Sequence, residues 1–123
     1  AQRLNAQRPA ERAPLKVCIQ VNIPVEESKS GVVSSNGLLE LATAFHNFDR
    51  LDLRGIMAIP APCSELLRQR EQFGRIAGLL KTEGLPVEMT ELSMGMSADM
   101  EAAIAEGATM VRIGTDIFGA RYT

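Results

Sequence analysis

The sequence predicts an α/β fold with a parallel sheet, because apolar strands and amphipathic helices alternate along it. Four strand-like segments are separated by three helical segments in the order β-α-β-α-β-α-β. The strands alternate with period two, and the helices carry an apolar stripe with the helical period. Four such units make half of an eight-stranded β/α barrel or a small open α/β sheet.

Most of the predicted strand segments end at residues that interrupt a strand. The strands are predicted over 15–23, 51–59, 87–94 and 109–114. In the first strand, Val17, Ile19 and Val21 point to one face of the sheet and the residues between them to the other. Pro24 and Pro60 end the first two strands, since proline cannot donate to the strand ladder.

The helices are predicted from their apolar stripes and from the residues at their ends. They run over 35–48, 64–81 and 100–106. Ser64 is the expected N-cap of the second helix, and Gly84 and Gly107 are the expected C-terminal caps. The expected buried stripes are Leu38, Leu39, Leu41, Ala42, Phe45 and Phe48 in the first helix and Leu66, Leu67, Phe73, Ile76, Leu79 and Leu80 in the second.

Composition indicates one small soluble domain and no nucleic-acid or membrane partner. The chain has 123 residues, 46% hydrophobic and 23% charged, with a formal net charge of −2. Its arginines form no stripe, and no apolar run approaches the roughly 20 residues of a membrane helix. The two cysteines, Cys18 and Cys63, are expected as free thiols in a cytoplasmic protein. The first residue is not Met and lies in an apparent helix tail, which suggests a piece of a longer protein.

The single histidine argues against several kinds of active site. His46 lies near a helix end without cysteine or carboxylate at metal-ligand spacing, so no metal site is expected. One histidine in this position also supplies no Ser-His-Asp or Cys-His arrangement. A surface position on the helix is the simpler interpretation.

The end of the third strand is the first candidate site. Small residues in the run 93–99 allow a ligand close to the backbone, Ser97 offers a hydroxyl, and the following helix offers free N–H groups. These groups suit a phosphate. The alternative is an ordinary capped helix, with Ser97 or Asp99 as N-cap.

The end of the fourth strand is the second candidate site. Alternation places Val111 and Ile113 on the helix-facing side, so Arg112 and Gly114 face the other way. An inward arginine needs a compensating partner. With Gly114 and Thr115 after it, Arg112 indicates a ligand site; an internal salt bridge is the alternative. Both strand ends would meet at one edge of the sheet, where barrels often bind phosphate.

Four blocks of the sequence together carry a resemblance to a known family. The blocks are Val21-Asn22-Ile23 with the following Ser28-Lys29-Ser30-Gly31, the run 53–60 (LRGIMAIP), the run 92–104 (LSMGMSADMEAAI) and the run 111–119 (VRIGTDIFG). They resemble the pyridoxal-phosphate homeostasis protein family, relatives of the alanine racemase N-terminal barrel. The resemblance covers the chain from about Leu15 onward. It implies a parallel β/α barrel of that type, of which this chain is the C-terminal half, with 1–14 as helix tail and linker and 15–123 as about four βα units.

The resemblance also implies a cofactor, pyridoxal 5′-phosphate (PLP), and roles for particular residues. Ser97, Gly114 and Thr115 would hold the phosphate, and Arg112 would face the pyridine nitrogen. The pocket wall would be formed by Met96 and Ile113, with Met57 and Asn22 near the cofactor. Asp99 would cap the helix rather than touch the ligand.

The lysine that forms the Schiff base in this family lies in the half of the barrel that the sequence lacks. Of the lysines present, Lys16 begins a strand and Lys81 ends a surface helix. Only Lys29 lies on the carboxyl side of the sheet, and a solvated loop cation is its simpler interpretation.

The implied function is storage and delivery of PLP, with apo-PLP enzymes as recipients and no catalytic residues. The alternative is an amino-acid racemase of the alanine racemase type, which needs a second acid/base group on the opposite face of the cofactor. A third interpretation is a phosphate-binding barrel piece without activity of its own. Because half a barrel leaves open sheet edges, the missing N-terminal half or self-association is expected to cover them.

Overall fold

The computed structural model describes residues 1–22 and 35–122, and its elements follow the predicted alternation. The chain-order bounds are α1 Gln2–Gln7, β1 Leu15–Val21, α2 Ser35–Ala44, β2 Leu51–Ala58, α3 Leu66–Leu79, β3 Glu91–Met96, α4 Met100–Ala105, β4 Met110–Arg112 and α5 Thr115–Phe118. A short 3-10 helix, Phe45–Asn47, follows α2. The Ser28-Lys29-Ser30-Gly31 segment and Pro24 lie outside the described residues.

The strands form one parallel sheet in the order β1-β2-β3-β4. This confirms the predicted α/β class, in which each helix leads from one strand to its neighbour. The β1–β2 register shifts between Val17 and Cys18, so that Arg54 is the extra residue on β2. Gly55 lies directly beside Glu91 of β3, and a Cβ there would overlap the Glu91 carbonyl oxygen. Glycine is therefore what allows these two strands to approach.

The hydrophobic core lies between one face of the sheet and the helices. From β1, Ile19 and Val21 are buried, whereas Gln20 and Asn22 are exposed, as the period-two pattern predicts. Further buried residues are Leu53, Ile56, Ala58, Leu92 and Met94 from the other strands and Leu38, Ala42, Phe73, Ile76, Ala102 and Ala103 from the helices. The opposite face carries the residues that alternate with these.

The α3 helix is shorter than predicted at both ends. It begins at Leu66 with Glu65 in the N-cap position and no side-chain cap, so Ser64 is not the cap. At the other end, the N–H groups of Leu80 and Thr82 donate to carbonyls three residues back, which tightens the chain and ends the helix before Gly84. Gly84 has a φ of 88° and lies in the turn that follows.

Three leucines expected in the core are exposed instead. Leu66 is 52% exposed, Leu67 75% and Leu41 45%. The buried face of α3 is formed by Gln69, Phe73 and Ile76, and Leu67 lies off this face. The buried face of α3 therefore includes one polar side chain, that of Gln69.

The first predicted helix and the third predicted strand are also displaced. The helix predicted over 35–48 ends at Ala44 and continues only as the 3-10 turn, after which the Phe45 and Phe48 rings pack edge to face at 5.4 Å. The third strand begins at Glu91 rather than Val87, because the Met89 N–H donates to the Pro86 carbonyl in a turn.

The last strand, β4, is shorter than predicted and leads into a helix that was not predicted. It spans Met110–Arg112 within the expected 109–114, and α5 follows from Thr115. Thr109 precedes the strand and donates its N–H to the Leu92 carbonyl at 3.0 Å. Because β4 ends at Arg112, the turn into α5 occupies residues 113 and 114, where the strand was expected to continue.

The N-terminal segment is attached to the amino end of β2. The Arg50 N–H donates to Asn5 Oδ1 at 2.9 Å, and the Arg50 guanidinium donates to the Arg8 carbonyl at 3.0 Å. These bonds place α1 beside the start of β2. The boundary between 1–14 and 15–123 stays a prediction.

Two features are absent from the part of the chain that the structure describes. Within 1–22 and 35–122, no helix combines the length and apolar character needed to cross a membrane. The same residues contain no group of three histidine, cysteine or carboxylate side chains placed to hold a metal ion.

Candidate functional site

The candidate residues lie at the carboxyl ends of β3 and β4. Met96 ends β3 and pairs in register with Arg112, which ends β4. Because the two strands are parallel, the segments that follow them emerge at the same edge of the sheet. Ser97 follows β3, and Gly114 and Thr115 follow β4 at the start of α5.

A direct hydrogen bond joins these two segments. The Asp116 N–H donates to the Ser97 Oγ at 3.2 Å. Ser97 is half-buried, whereas Thr115 and Asp116 are exposed. The predicted meeting of the two strand ends is therefore observed, and the hydroxyl lies beside the backbone N–H groups at the start of α5.

Gly95 determines how the chain leaves β3. It has a φ of 101°, and a Cβ there would lie 2.6 Å from the Ala103 Cβ of α4 and 3.2 Å from Val111 Cγ1. A side chain would thus strain the backbone and push α4 away. Because that Cβ would meet both Val111 and Ala103 of α4, Val111 lies on the helix side, and strand alternation then places Arg112 on the opposite face.

Neither Ser97 nor Asp99 caps α4 with its side chain. Asp99 occupies the N-cap position without a side-chain cap bond. Its Oδ1 instead accepts the Met96 N–H at 2.7 Å, which holds the turn that presents Ser97. Asp99 is therefore the N-cap residue by position, as expected, but its side chain bonds within the turn rather than to an N–H group of α4, and Ser97 is not the cap.

Arg112 is anchored at one end of its guanidinium only. Its Nη2 donates to the Ala58 carbonyl at the end of β2 at 2.9 Å, so the side chain reaches across β3. Its Nε is buried and, among the described residues, has no acceptor. Within residues 1–22 and 35–122 the ion pairs use Arg54, Arg68 and Arg70, so the alternative of an internal salt bridge for Arg112 is not observed there.

The surroundings of Arg112 fit a ligand with acceptor atoms. A buried N–H without a partner destabilises a protein by about 1–3 kcal/mol, so an acceptor supplied by a ligand would be stabilising. A Cβ built on Gly114 would meet nothing within 4 Å. The space next to Gly114 is therefore open to a ligand rather than filled by protein atoms.

Comparison with known proteins identifies the family of this chain. The family model of the alanine racemase N-terminal domain matches residues 1–122. The chain belongs to this family. The predicted family relationship and the predicted barrel type are thereby confirmed.

Curated proteins with high sequence similarity to this chain are named pyridoxal phosphate homeostasis proteins. The chain is 58% identical over 125 residues to that of Escherichia coli strain K12, covering 98% of the chain and 52% of the relative. It is 53% identical over 121 residues to that of Pseudomonas aeruginosa, covering 98% and 51%. The chain therefore spans about half the length of the curated relatives it matches.

Solved structures with the same fold include one that contains PLP. PipY of Synechococcus elongatus, with PLP bound, has a TM-score of 0.72 and 27% identity over 96% of this chain and 55% of PipY. An unknown protein from Bifidobacterium adolescentis has a TM-score of 0.74 and 35% identity, over 95% and 48%. This four-stranded sheet is thus part of a larger architecture in these relatives.

The other predicted site residues of this alanine racemase N-terminal domain lie on, or directly after, three different strands. Met57 is half-buried on β2, in register with Gln20 and Ser93. Asn22 is exposed just after β1, and Ile113 is half-buried between β4 and α5. Within the described residues, no side-chain hydrogen bond joins Met57, Asn22 or Ile113 to the Ser97 segment. Their roles stay predictions, and Lys29 lies outside the described residues.

Three groups at this edge were not predicted. The Ala58 carbonyl and the Asp116 N–H are backbone groups, which sequence patterns do not reveal. Gln69 is a buried side chain of α3 whose Nε2 donates to the Cys63 carbonyl at 2.6 Å. The position of Gln69 within an apolar stripe could have indicated a structural role, because a buried amide needs hydrogen-bond partners.

Two surface clefts lie away from these strand ends. One lies between α3 and α4 and includes Leu67, Gly74 and the Arg70–Glu106 ion pair. The other includes His46 and Glu88. Neither contains a predicted site residue. The candidate site is instead an open surface, on which Met96 is 43% exposed.

Proposed function

We propose that the protein to which this chain contributes binds PLP at the carboxyl ends of β3 and β4 and serves in its storage and delivery. The observation that carries this proposal is the Ser97–Asp116 contact beside an inward Arg112 with an unpaired Nε. The names of the homeostasis proteins and the PLP bound to PipY support the choice of ligand.

Ser97, Gly114 and Thr115 would hold the phosphate. The Ser97 hydroxyl, which accepts a hydrogen bond from the Asp116 N–H, would donate one to a phosphate oxygen. Gly114 leaves room for the phosphate to approach the backbone, and the Thr115 hydroxyl is exposed beside it. Met96 and Ile113 would form the adjoining wall.

Arg112 would face the pyridine nitrogen of the cofactor. When bound, PLP supplies a ring that can act as an electron sink, and a protonated ring nitrogen strengthens that property. Because the guanidinium stays protonated, Arg112 can donate a hydrogen bond to this nitrogen but cannot accept one. The arginine thus favours an unprotonated ring nitrogen, which suits a carrier better than a catalyst.

The racemase alternative needs an acid/base group on the second face of the cofactor. Tyr122 is fully exposed at the end of the described chain, and His46 lies in the 3-10 turn after α2. Neither side chain has a hydrogen-bond partner at the site within the described residues. We therefore infer binding and delivery rather than racemisation.

Several finer parts of the proposal concern the rest of the protein. Met57 and Asn22 would lie near the ring, and the Schiff-base lysine would come from the half of the barrel outside this chain. Apo-PLP enzymes are the proposed recipients, and the cytoplasm is the proposed location. The remaining half of the barrel, or a second copy, would cover the open face of the sheet.

The test uses the full-length protein. Visible absorbance of bound PLP is expected for the wild type, and the Ser97→Ala/Thr115→Val double variant should bind PLP at least about tenfold more weakly, as two lost polar contacts imply. Ser64→Ala is the control, since Ser64 is exposed and caps no helix. A wild type without PLP absorbance would refute the proposal, and rapid conversion of L- to D-alanine would favour the racemase.

A further inference from the structure

Gln69 is a polar residue in the otherwise apolar buried face of α3. It is 8% exposed and lies in the same stripe as the fully buried Phe73 and Ile76. A buried side-chain amide is stable only when its groups are hydrogen-bonded. Its Nε2 donates to the Cys63 carbonyl at 2.6 Å and lies 3.5 Å from the Ala98 carbonyl.

These two carbonyls belong to different segments at the same edge of the sheet. Cys63 lies between β2 and α3, and Ala98 lies between β3 and α4, next to Ser97. One amide group thus joins the two segments, while α3 packs on the core through Phe73. A displacement of the Ala98 carbonyl would also displace the adjacent Ser97 hydroxyl.

We propose that Gln69 is a positioning residue for the phosphate subsite, an inference that rests on the proposed function. It sets the position of Ser97 through the Ala98 carbonyl, without contacting the ligand. The Asp99 carboxylate supports the same turn from the other side by accepting the Met96 N–H at 2.7 Å. The turn is therefore held both from α3 and from within itself.

The chemistry of the side chain explains why an amide suits this position. Two carbonyl oxygens require two donors, and the NH₂ group of glutamine supplies both. An ionised glutamate in its place has no donor and would repel both carbonyls. A methionine has a similar volume but forms neither bond. These two substitutions separate hydrogen bonding from packing.

The experiment compares PLP with pyridoxal, which has the same ring and aldehyde but no phosphate. Dissociation constants of both are measured for full-length wild type, Gln69→Met and Gln69→Glu. A mobile Ser97 turn should weaken PLP binding about 5- to 10-fold, the range of one lost hydrogen bond. Binding of pyridoxal should change by less than about twofold, because it makes no phosphate contact.

Gln72→Met is the matched control, because Gln72 is half-buried on the same helix and its side chain forms no hydrogen bond with any described residue. Its ratio of PLP to pyridoxal affinity should equal that of the wild type. Amide hydrogen exchange of 97–99 should be faster in both Gln69 variants, with the amides of α3 unchanged.

The possible outcomes distinguish this inference from the proposed function. Unchanged PLP affinity in both Gln69 variants, or an equal loss for PLP and pyridoxal, would overturn the positioning role. A wild type that binds PLP no better than pyridoxal would instead overturn the phosphate assignment of Ser97, Gly114 and Thr115.

Discussion

Arg112 is the residue whose surroundings say most about the site. Its charge is placed on the inner side of the sheet, with one nitrogen bound to the Ala58 carbonyl and the Nε left without an acceptor among the described residues. A guanidinium keeps its charge at any physiological pH, so it acts as a permanent donor. A ligand with an acceptor atom could pair with the Nε of Arg112.

Arg112→Met is expected to separate ligand binding from stability. Binding of PLP by the full-length protein should weaken at least about tenfold, as expected when a charged donor is lost. The free energy of unfolding without ligand should change by less than about 1 kcal/mol, since the lost Ala58 bond is offset by removal of a buried, unpaired N–H. Equilibrium dialysis and urea unfolding measure the two quantities. A large loss of stability with unchanged affinity would show a structural role.

Cys18 is a second residue whose environment has a measurable consequence. It is a free, half-buried thiol on the strand face opposite Ile19. Burial raises the pKa of the Cys18 thiol, and the nearby Glu91 carboxylate raises it further. Both effects disfavour the thiolate, because each acts against a negative charge.

The raised pKa of Cys18 predicts slow alkylation at mildly alkaline pH. In a Cys63→Ser variant, alkylation of the native protein should follow a pH profile shifted upward from that of the unfolded chain. The folded state holds this proton more tightly, so its contribution to stability is present below the unfolded pKa and is lost as pH rises through the folded pKa. Glu91→Gln should shift the profile partly back. Identical profiles for native and unfolded protein would contradict the expectation.

At the scale of elements, the close approach of β2 and β3 depends on one glycine. A side chain at Gly55 would overlap the Glu91 carbonyl, which belongs to the backbone and cannot rotate away. The same pair of strands carries Ala58, which anchors Arg112, and Met96, which precedes Ser97. Strand spacing and site geometry are therefore linked.

Gly55→Ala is expected to destabilise the protein by about 1–3 kcal/mol or more, as overpacking does in a tight interior. Gly78→Ala is the matched control, because a Cβ on Gly78 meets nothing within 4 Å and the residue lies inside α3. It should stabilise by up to about 1 kcal/mol, since alanine favours a helix over glycine. Urea unfolding compares the two variants. Equal stability of both would show that the sheet adapts at Gly55.

Gly95, the next-to-last residue of β3, lies directly against α4. Its positive φ and its contact with Ala103 leave no room for a side chain. Gly95→Ala should move α4 and the Ser97 turn together, so we expect lower stability and weaker PLP binding in the same variant. Thermal unfolding and PLP titration measure these effects. Loss of stability alone would show that the Ser97 turn is independent of α4.

At the scale of the whole molecule, only one face of the sheet is covered by the described helices. Large apolar side chains are exposed around its carboxyl edge, at Ile59, Met96, Ile117 and Phe118, and Met110 is exposed at the start of β4. The two outer strands, β1 and β4, also have one unpaired edge each within the described residues. Uncovered apolar surface and open edges favour association with another polypeptide.

The chain on its own is therefore expected to self-associate, or to bind the rest of its barrel when both are mixed. Size-exclusion chromatography with mass spectrometry distinguishes these states. An equimolar complex with the remaining half should replace the self-associated form, because it covers the same face. A chain that stays monomeric at high concentration, with or without that half, would contradict this expectation.

The sequence by itself determined the order of the four strands and of the three helices between them, the parallel class and the inward direction of Arg112. These properties follow from local periodicity, which hydrophobic residues encode within a few positions. It also predicted that the segments after β3 and β4 meet, because parallel strands end at a common edge. The Ser97–Asp116 bond agrees with that expectation.

Only the tertiary structure decided the partners of individual groups. The start of β3 depends on a turn at Pro86. The exposure of Leu67 depends on which face of α3 packs against the core. The role of Gln69 depends on two carbonyl groups from segments that are distant in the chain. Such contacts join residues far apart in the chain, so no local pattern specifies them. Local periodicity determines which face of an element a side chain lies on, whereas tertiary packing determines which groups that side chain contacts.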